Sequence, residues 1–304
     1  MTIAVVYVSP EGVVLGADST ASVVLPGQTG KGGFHYFNHN QKVFELGENS
    51  TYGIATWGLG GIGPISYRTL IAQLADTFVT TPPTSVQDAA AKWVAKLRPE
   101  YTAFLGTQTR LQTLRVKPPF NLQANPVDPN ARSQDEEKEF ASLIINLGVG
   151  FYVGGYHPSD RKPDAYRLWF DLNNVAPIPQ QIGWWNGDGA PNILHRLLNG
   201  CDAELKAAIS ASPHWHGTPA DLDQILAQYV LSHPILPIRD AIDFVHACIL
   251  STIKSMKFSS FTQICGGSVE LAVITTDRKF RWVRHKLWDA AIVEGEQAWL
   301  ANRR

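Results

Sequence analysis

Thr2 has the most chemistry to offer in this chain, read together with Asp18 and Lys42. With Met1 removed, Thr2 carries a hydroxyl and a free α-amine, a nucleophile and its general base on one residue. A threonine hydroxyl is a poor nucleophile near neutral pH and needs a base within hydrogen-bond reach. An α-amine, with an ordinary pKa of about 7.7–8.0, keeps an appreciable neutral fraction there. A neighbouring ammonium lowers that pKa by like-charge repulsion and favours the proton-accepting form.

The elements that must position these groups follow from pattern. Residues 2–8 are a β-branched strand-like run, Ser9-Pro10-Glu11-Gly12 is a tight turn, and 13–19 is a second apolar run. Thr2 thus begins one strand and Asp18 ends the next. A polar, glycine-rich loop (26–33) and an aromatic segment (34–37) precede a second strand pair, 42–46 and 51–57. Pro64 suits a first helical position, followed at helical spacing by Ile65, Leu70, Ile71, Leu74 and Phe78. Pro82-Pro83 stops that helix, and Ser85 opens another over 86–97.

Residues 106–138 lose periodicity and read as an insertion or long surface loop within a single domain spanning 1–304. Beyond it the pattern predicts strands at 141–146, 151–155, 166–170 and 181–185. Helices follow over 191–199 and 222–254, the latter interrupted near Pro234 and Pro237. Two strands, 268–275 and 280–284, and a helix over 287–300 complete the order. Such blocks exclude a regular βα repeat. They suit an α+β chain built as a four-layer αββα sandwich.

Several segments resemble the proteasome-type N-terminal-nucleophile (Ntn) hydrolases, and the bacterial proteasome β-subunit among them. They are Thr2, the Gly-Val-Val-Leu-Gly-Ala-Asp-Ser run ending in Asp18-Ser19, Gln41-Lys42-Val43-Phe44-Glu45-Leu46, and Tyr52 to Gly61. Later echoes are Val153-Gly154-Gly155-Tyr156 with Tyr166-Arg167-Leu168, Asn186-Gly187-Asp188-Gly189-Ala190-Pro191, and Cys265 to Ile274. The resemblance implies the same αββα architecture, with Lys42 as the ammonium beside the Thr2 amine and Asp18 as its counter-charge.

It further implies a peptidase working through an acyl-enzyme on Thr2, with small, uncharged pocket residues at Ala21, Thr56 and Gly60. Gly58 would supply the oxyanion donor, since glycine lets a substrate approach the backbone closely. Asp188 stands where the family carries a serine that hydrogen-bonds the terminal amine; its other reading is a helix N-cap. The chain departs from the family at Thr262 and Cys265, where an aspartate and a serine are usual. Alternatives are a catalytically silent proteasome-fold subunit serving assembly or binding, and an amidase for a small molecule.

Bulk properties narrow the field. With 304 residues, 44% hydrophobic, 17% charged and a net charge of −1, the chain is globular and has no electrostatic bias toward nucleic acid or anionic membranes. Three cysteines without a CxxC pair fit reduced thiols and a cytoplasmic setting. The expected partners are a peptide or unfolded protein substrate and further copies in a ring or open homo-oligomer, and no cofactor is expected. Gly58-Leu59-Gly60-Gly61-Ile62-Gly63 satisfies GxGxxG, but no following strand ends in an acid, as a dinucleotide site requires. His214-Trp215-His216 lacks a third metal ligand and reads as a loop.

Overall fold

A computed structural model describes residues 2–25, 33–121, 128–260 and 264–285. The expected helix over 287–300, the loop at 26–32, Met1 and Thr262 lie outside the described residues.

The first apolar runs form β1 (Ile3–Ser9) and β2 (Gly12–Ala17), an antiparallel hairpin with Ala4 opposite Ala17. A separate ribbon of β3 (Ala21–Leu25) and β4 (Gly33–Phe37) follows, then β5 (Val43–Glu45) and β6 (Tyr52–Gly58). Helices α1 (Tyr67–Thr80), α2 (Val86–Thr107), α3 (Thr109–Arg115) and α4 (Gln134–Leu147) come next, and then β7 (Val149–Tyr156), β8 (Pro163–Phe170), β9 (Gln180–Gln181) and β10 (Trp185–Gly189). The chain continues through α5 (Asn192–Asn199), α6 (Ala203–Ser210), α7 (Pro219–Ala227) and α8 (Ile238–Phe258) to the hairpin β11 (Glu270–Thr275) and β12 (Phe280–Arg284).

Two five-stranded antiparallel sheets result, ordered β10-β1-β2-β11-β12 and β5-β6-β7-β8-β9. Every residue of β1 and β2 is buried, because alternate side chains serve two cores. Ile3, Val5, Tyr7 and Val14 pack with Val245, Ile249 and Ile253 of α8. Ala4, Val6, Val13 and Leu15 face Ala55, Trp57 and Tyr152 of the second sheet. A third cluster sets Trp93, Leu97 and Tyr101 of α2 against Phe151 and Phe170. Gly16 lets α8 approach: a Cβ there would stand 2.6 Å from Val245 Cγ1.

The expected fold class is corrected in its particulars. A four-layer αββα sandwich of Ntn type is not what the described residues define. They define an α+β arrangement of two five-stranded antiparallel sheets, a two-stranded ribbon outside both, and eight helices. The stretch read as a loop over 106–138 is helical at both ends. Leu111 and Leu114 of α3 are buried, and Ser133 and Glu136 form a reciprocal capping box that starts α4. Residues 141–146, expected as a strand, continue α4, while α6 and the β3–β4 ribbon had no counterpart in the sequence reading. The expected helix over 222–254 divides into α7 and α8, with Pro219 at the first helical position of α7 and Pro237 capping α8.

Candidate active site

The ends of both sheets meet beside Thr2. Asp18, just past β2, turns its carboxylate back onto β1: Oδ1 accepts from the Ile3 amide at 3.1 Å and from Lys42 Nζ at 2.7 Å. Its Oδ2 accepts from the amides of Thr20 at 3.2 Å and Gly266 at 2.9 Å. Four donors match the acceptor capacity of an ionised carboxylate. Asp18 is fully buried and Lys42 is 3% exposed, so this ion pair has left water. Burial is costly unless other bonds fill the remaining sites, and here they do. Lys42 Nζ also donates to Thr20 O at 2.5 Å. Among the described residues these are two of the three bonds an ammonium can give.

The Lys42 ammonium and the peptide bond joining Thr2 to Ile3 therefore share one oxygen, Asp18 Oδ1. Thr2 itself is 3% exposed. Its carbonyl lies against Gly189, where φ is +96° and a Cβ would come within 1.9 Å of Thr2 O, so glycine alone fits. The segment after Asp18 is pinned as well: Ser19 and Thr20 amides both donate to Gly266 O at 3.1 Å. Cys265, adjoining that clamp, is buried, and burial followed by the Asp18 charge pushes its thiol pKa up, leaving it a neutral thiol.

Lys42 comes from the second sheet. Its carbonyl accepts from the Thr56 amide at 2.9 Å. A residue the sequence reading passed over holds its other side: Glu270 of β11, fully buried, accepts from the amides of Lys42 at 2.9 Å and Val43 at 3.3 Å. Its signal was a lone acid within Val269-Glu270-Leu271-Ala272-Val273-Ile274, an otherwise apolar strand.

Gly58 closes β6 with φ +84°, and a Cβ there would meet Gly148 O at 2.5 Å. The Thr56 amide points to Lys42, and strand alternation turns the Gly58 amide to the same side, past the start of β5. Of the expected pocket residues, Thr56 is buried with its hydroxyl on Gly150 O at 3.2 Å, Ala21 starts β3 half-buried, and Gly60 is exposed with open space around it.

Asp188, expected beside the terminal amine, is held by neighbouring strands. Arg167 grips it with Nε on Oδ2 at 2.7 Å and Nη2 on Oδ1 at 3.0 Å, and Tyr152 donates to Oδ2 at 2.6 Å. It does not cap α5 either, whose N-cap is Pro191 with no side-chain bond. Burial, then the Asp188 charge, raises the Tyr152 phenol well above its ordinary range, and the bond to Asp188 raises the Arg167 guanidinium further. The glycine run after β6 is no dinucleotide turn, since β6 pairs antiparallel with β7 and α1 begins only at Tyr67, capped by Ser66. No group of three metal-ligating side chains occurs among the described residues, and no helix among them is long and apolar enough to cross a membrane.

No protein-family model matches the chain, and no curated protein matches it. The identification as a proteasome-type Ntn hydrolase and homologue of the bacterial proteasome β-subunit is corrected accordingly. Its blocks are β-branched runs meeting glycine turns, which an antiparallel α+β chain produces for folding reasons alone. A solved structure of an Anbu (Gly-1) mutant from Hyphomicrobium sp. strain MC1 is similar over 100% of this chain and 95% of that one, at 11% identity and a TM-score of 0.44. A likeness of that size carries no argument about chemistry or partners.

Proposed function

We propose that the chain is an N-terminal-threonine hydrolase of peptide bonds. The observation that carries the reading is the buried Lys42–Asp18 pair, bonded through one shared oxygen to the amide that follows Thr2. Once the residue before Thr2 is released, the Thr2 amine takes the hydroxyl proton while Oγ1 attacks the scissile carbonyl carbon. The Lys42 ammonium keeps the amine neutral by like-charge repulsion, and Asp18 keeps that ammonium in place. The Gly58 amide faces the developing oxyanion. The amine then returns its proton to the leaving nitrogen, and water cleaves the Thr2 ester. This chemistry calls for no metal or organic cofactor.

A peptide or unfolded protein segment is the proposed substrate, lying past Ala21, Thr56 and Gly60. Assembly into a homo-oligomer is part of the same reading. One observation favours a second reading, a silent assembly or binding subunit: Asp188 forms a two-pronged ion pair with Arg167, a structural tie between the two sheets that needs no catalytic role.

The test compares wild type with Thr2→Ala on a panel of short peptide amides. Alanine keeps the α-amine and loses only the nucleophile. The expected loss is about a thousandfold or more, because the covalent route itself disappears. Hydrolysis surviving in the alanine variant places the chemistry elsewhere, and hydrolysis by neither protein supports the silent subunit.

A further inference from the structure

Glu270 is a fully buried carboxylate that the proposed reaction does not use. A carboxylate is costly to bury unless its oxygens are bonded, so what Glu270 bonds is informative. It sits on β11 opposite Ala17, the residue before Asp18, and its Oε2 crosses to the second sheet to take the amides of Lys42 and Val43. With Thr56 holding the Lys42 carbonyl from β6, the Lys42 main chain is fixed from both sheets. A side chain is only as well placed as the backbone that carries it.

We infer that Glu270 is a positioning residue for Lys42: by accepting the two amides at the head of β5, it sets where the ammonium stands relative to Asp18 and Thr2. The inference rests on the proposed hydrolase reading. Among the described residues, the charged and titratable groups around this end of the sheets are Asp18 after β2, Lys42 before β5, Cys265 before β11, and Glu270. The Asp188, Arg167 and Tyr152 cluster lies beyond them on β10, β8 and β7. Lys42 is the cation bonded to Asp18 among them, and on the proposed reading moving it changes the charge that the Thr2 amine meets.

Wild type, Glu270→Ala and Glu270→Gln separate the outcomes. Without substrate, hydrogen exchange at the Lys42 and Val43 amides is expected to quicken about tenfold or more in the alanine variant. Glutamine keeps an acceptor oxygen and restores most of the protection. With peptide amides, the alanine variant is expected to lose about a hundredfold in kcat with KM little changed. The acid limb of its kcat/KM profile moves to higher pH, since a displaced ammonium depresses the Thr2 amine less. Glutamine again recovers most of the rate.

Unchanged exchange at these amides overturns the inference, as does lost rate with an unmoved acid limb. If the alanine variant fails to fold, Glu270→Asp, one methylene shorter toward these amides, decides: faster exchange at Lys42 and Val43 with an acid limb moved to higher pH supports the inference, and wild-type exchange overturns it. A wild type inactive on every peptide refutes the hydrolase reading, and the exchange data alone then decide whether Glu270 anchors Lys42.

Discussion

Asp18 takes three of its four hydrogen bonds from backbone amides and one from Lys42, and the two residues of the pair are therefore unequal. Asp18→Ala strands a buried ammonium and leaves the Ile3 and Gly266 amides without this acceptor. It is expected to cost about 3–5 kcal/mol of stability. Lys42→Met leaves a carboxylate still bonded by three amides and is expected to cost less, while removing activity. Urea unfolding midpoints measure both, and a larger loss for Lys42→Met contradicts this account. Asp18 and Lys42 were singled out through the resemblance, since a charge bordering an apolar strand run is by itself more often a turn residue or a solvated edge. The Arg167 partner of Asp188 was not legible in sequence, since it joins β8 of one sheet to β10 of the other, and no local pattern encodes that meeting.

Helix α2 carries Pro99 in its interior on an exposed face. Proline removes a backbone donor and crowds the carbonyl one turn back. Pro99→Ala is expected to stabilise the chain by about 1–3 kcal/mol, read as a raised thermal midpoint. A lowered midpoint contradicts it and assigns the proline a packing role. Ser85 starts α2 as its type predicts, accepting the Asp88 amide, whereas Pro64, read as a first helical position, lies before α1, which begins at Tyr67 with Ser66 accepting the Thr69 amide. Residues 141–146 were misread because Ala-Ser-Leu-Ile-Ile-Asn is short and apolar enough for either period. The distant capping box at Ser133 settles it as helix, and that box lay inside the stretch whose prolines read as loop.

At the scale of the whole molecule, the site exists only because two sheets pack face to face. Asp18 and Glu270 belong to the end of one sheet, Lys42 and Gly58 to the other, and Thr2 lies where they meet. The hairpins were readable from period and turn residues, whereas the crossing of Glu270 to Lys42, 228 positions apart, depends on tertiary packing alone. The claim that Thr2 is the nucleophile is tested most directly by intact mass spectrometry after incubation with a peptide β-lactone, which acylates an activated hydroxyl. The account predicts a chain that begins at Thr2 and gains the mass of one lactone, with Thr2→Ala processed but unlabelled. A wild type that keeps a residue before Thr2, or an alanine variant labelled as fully as wild type, contradicts it.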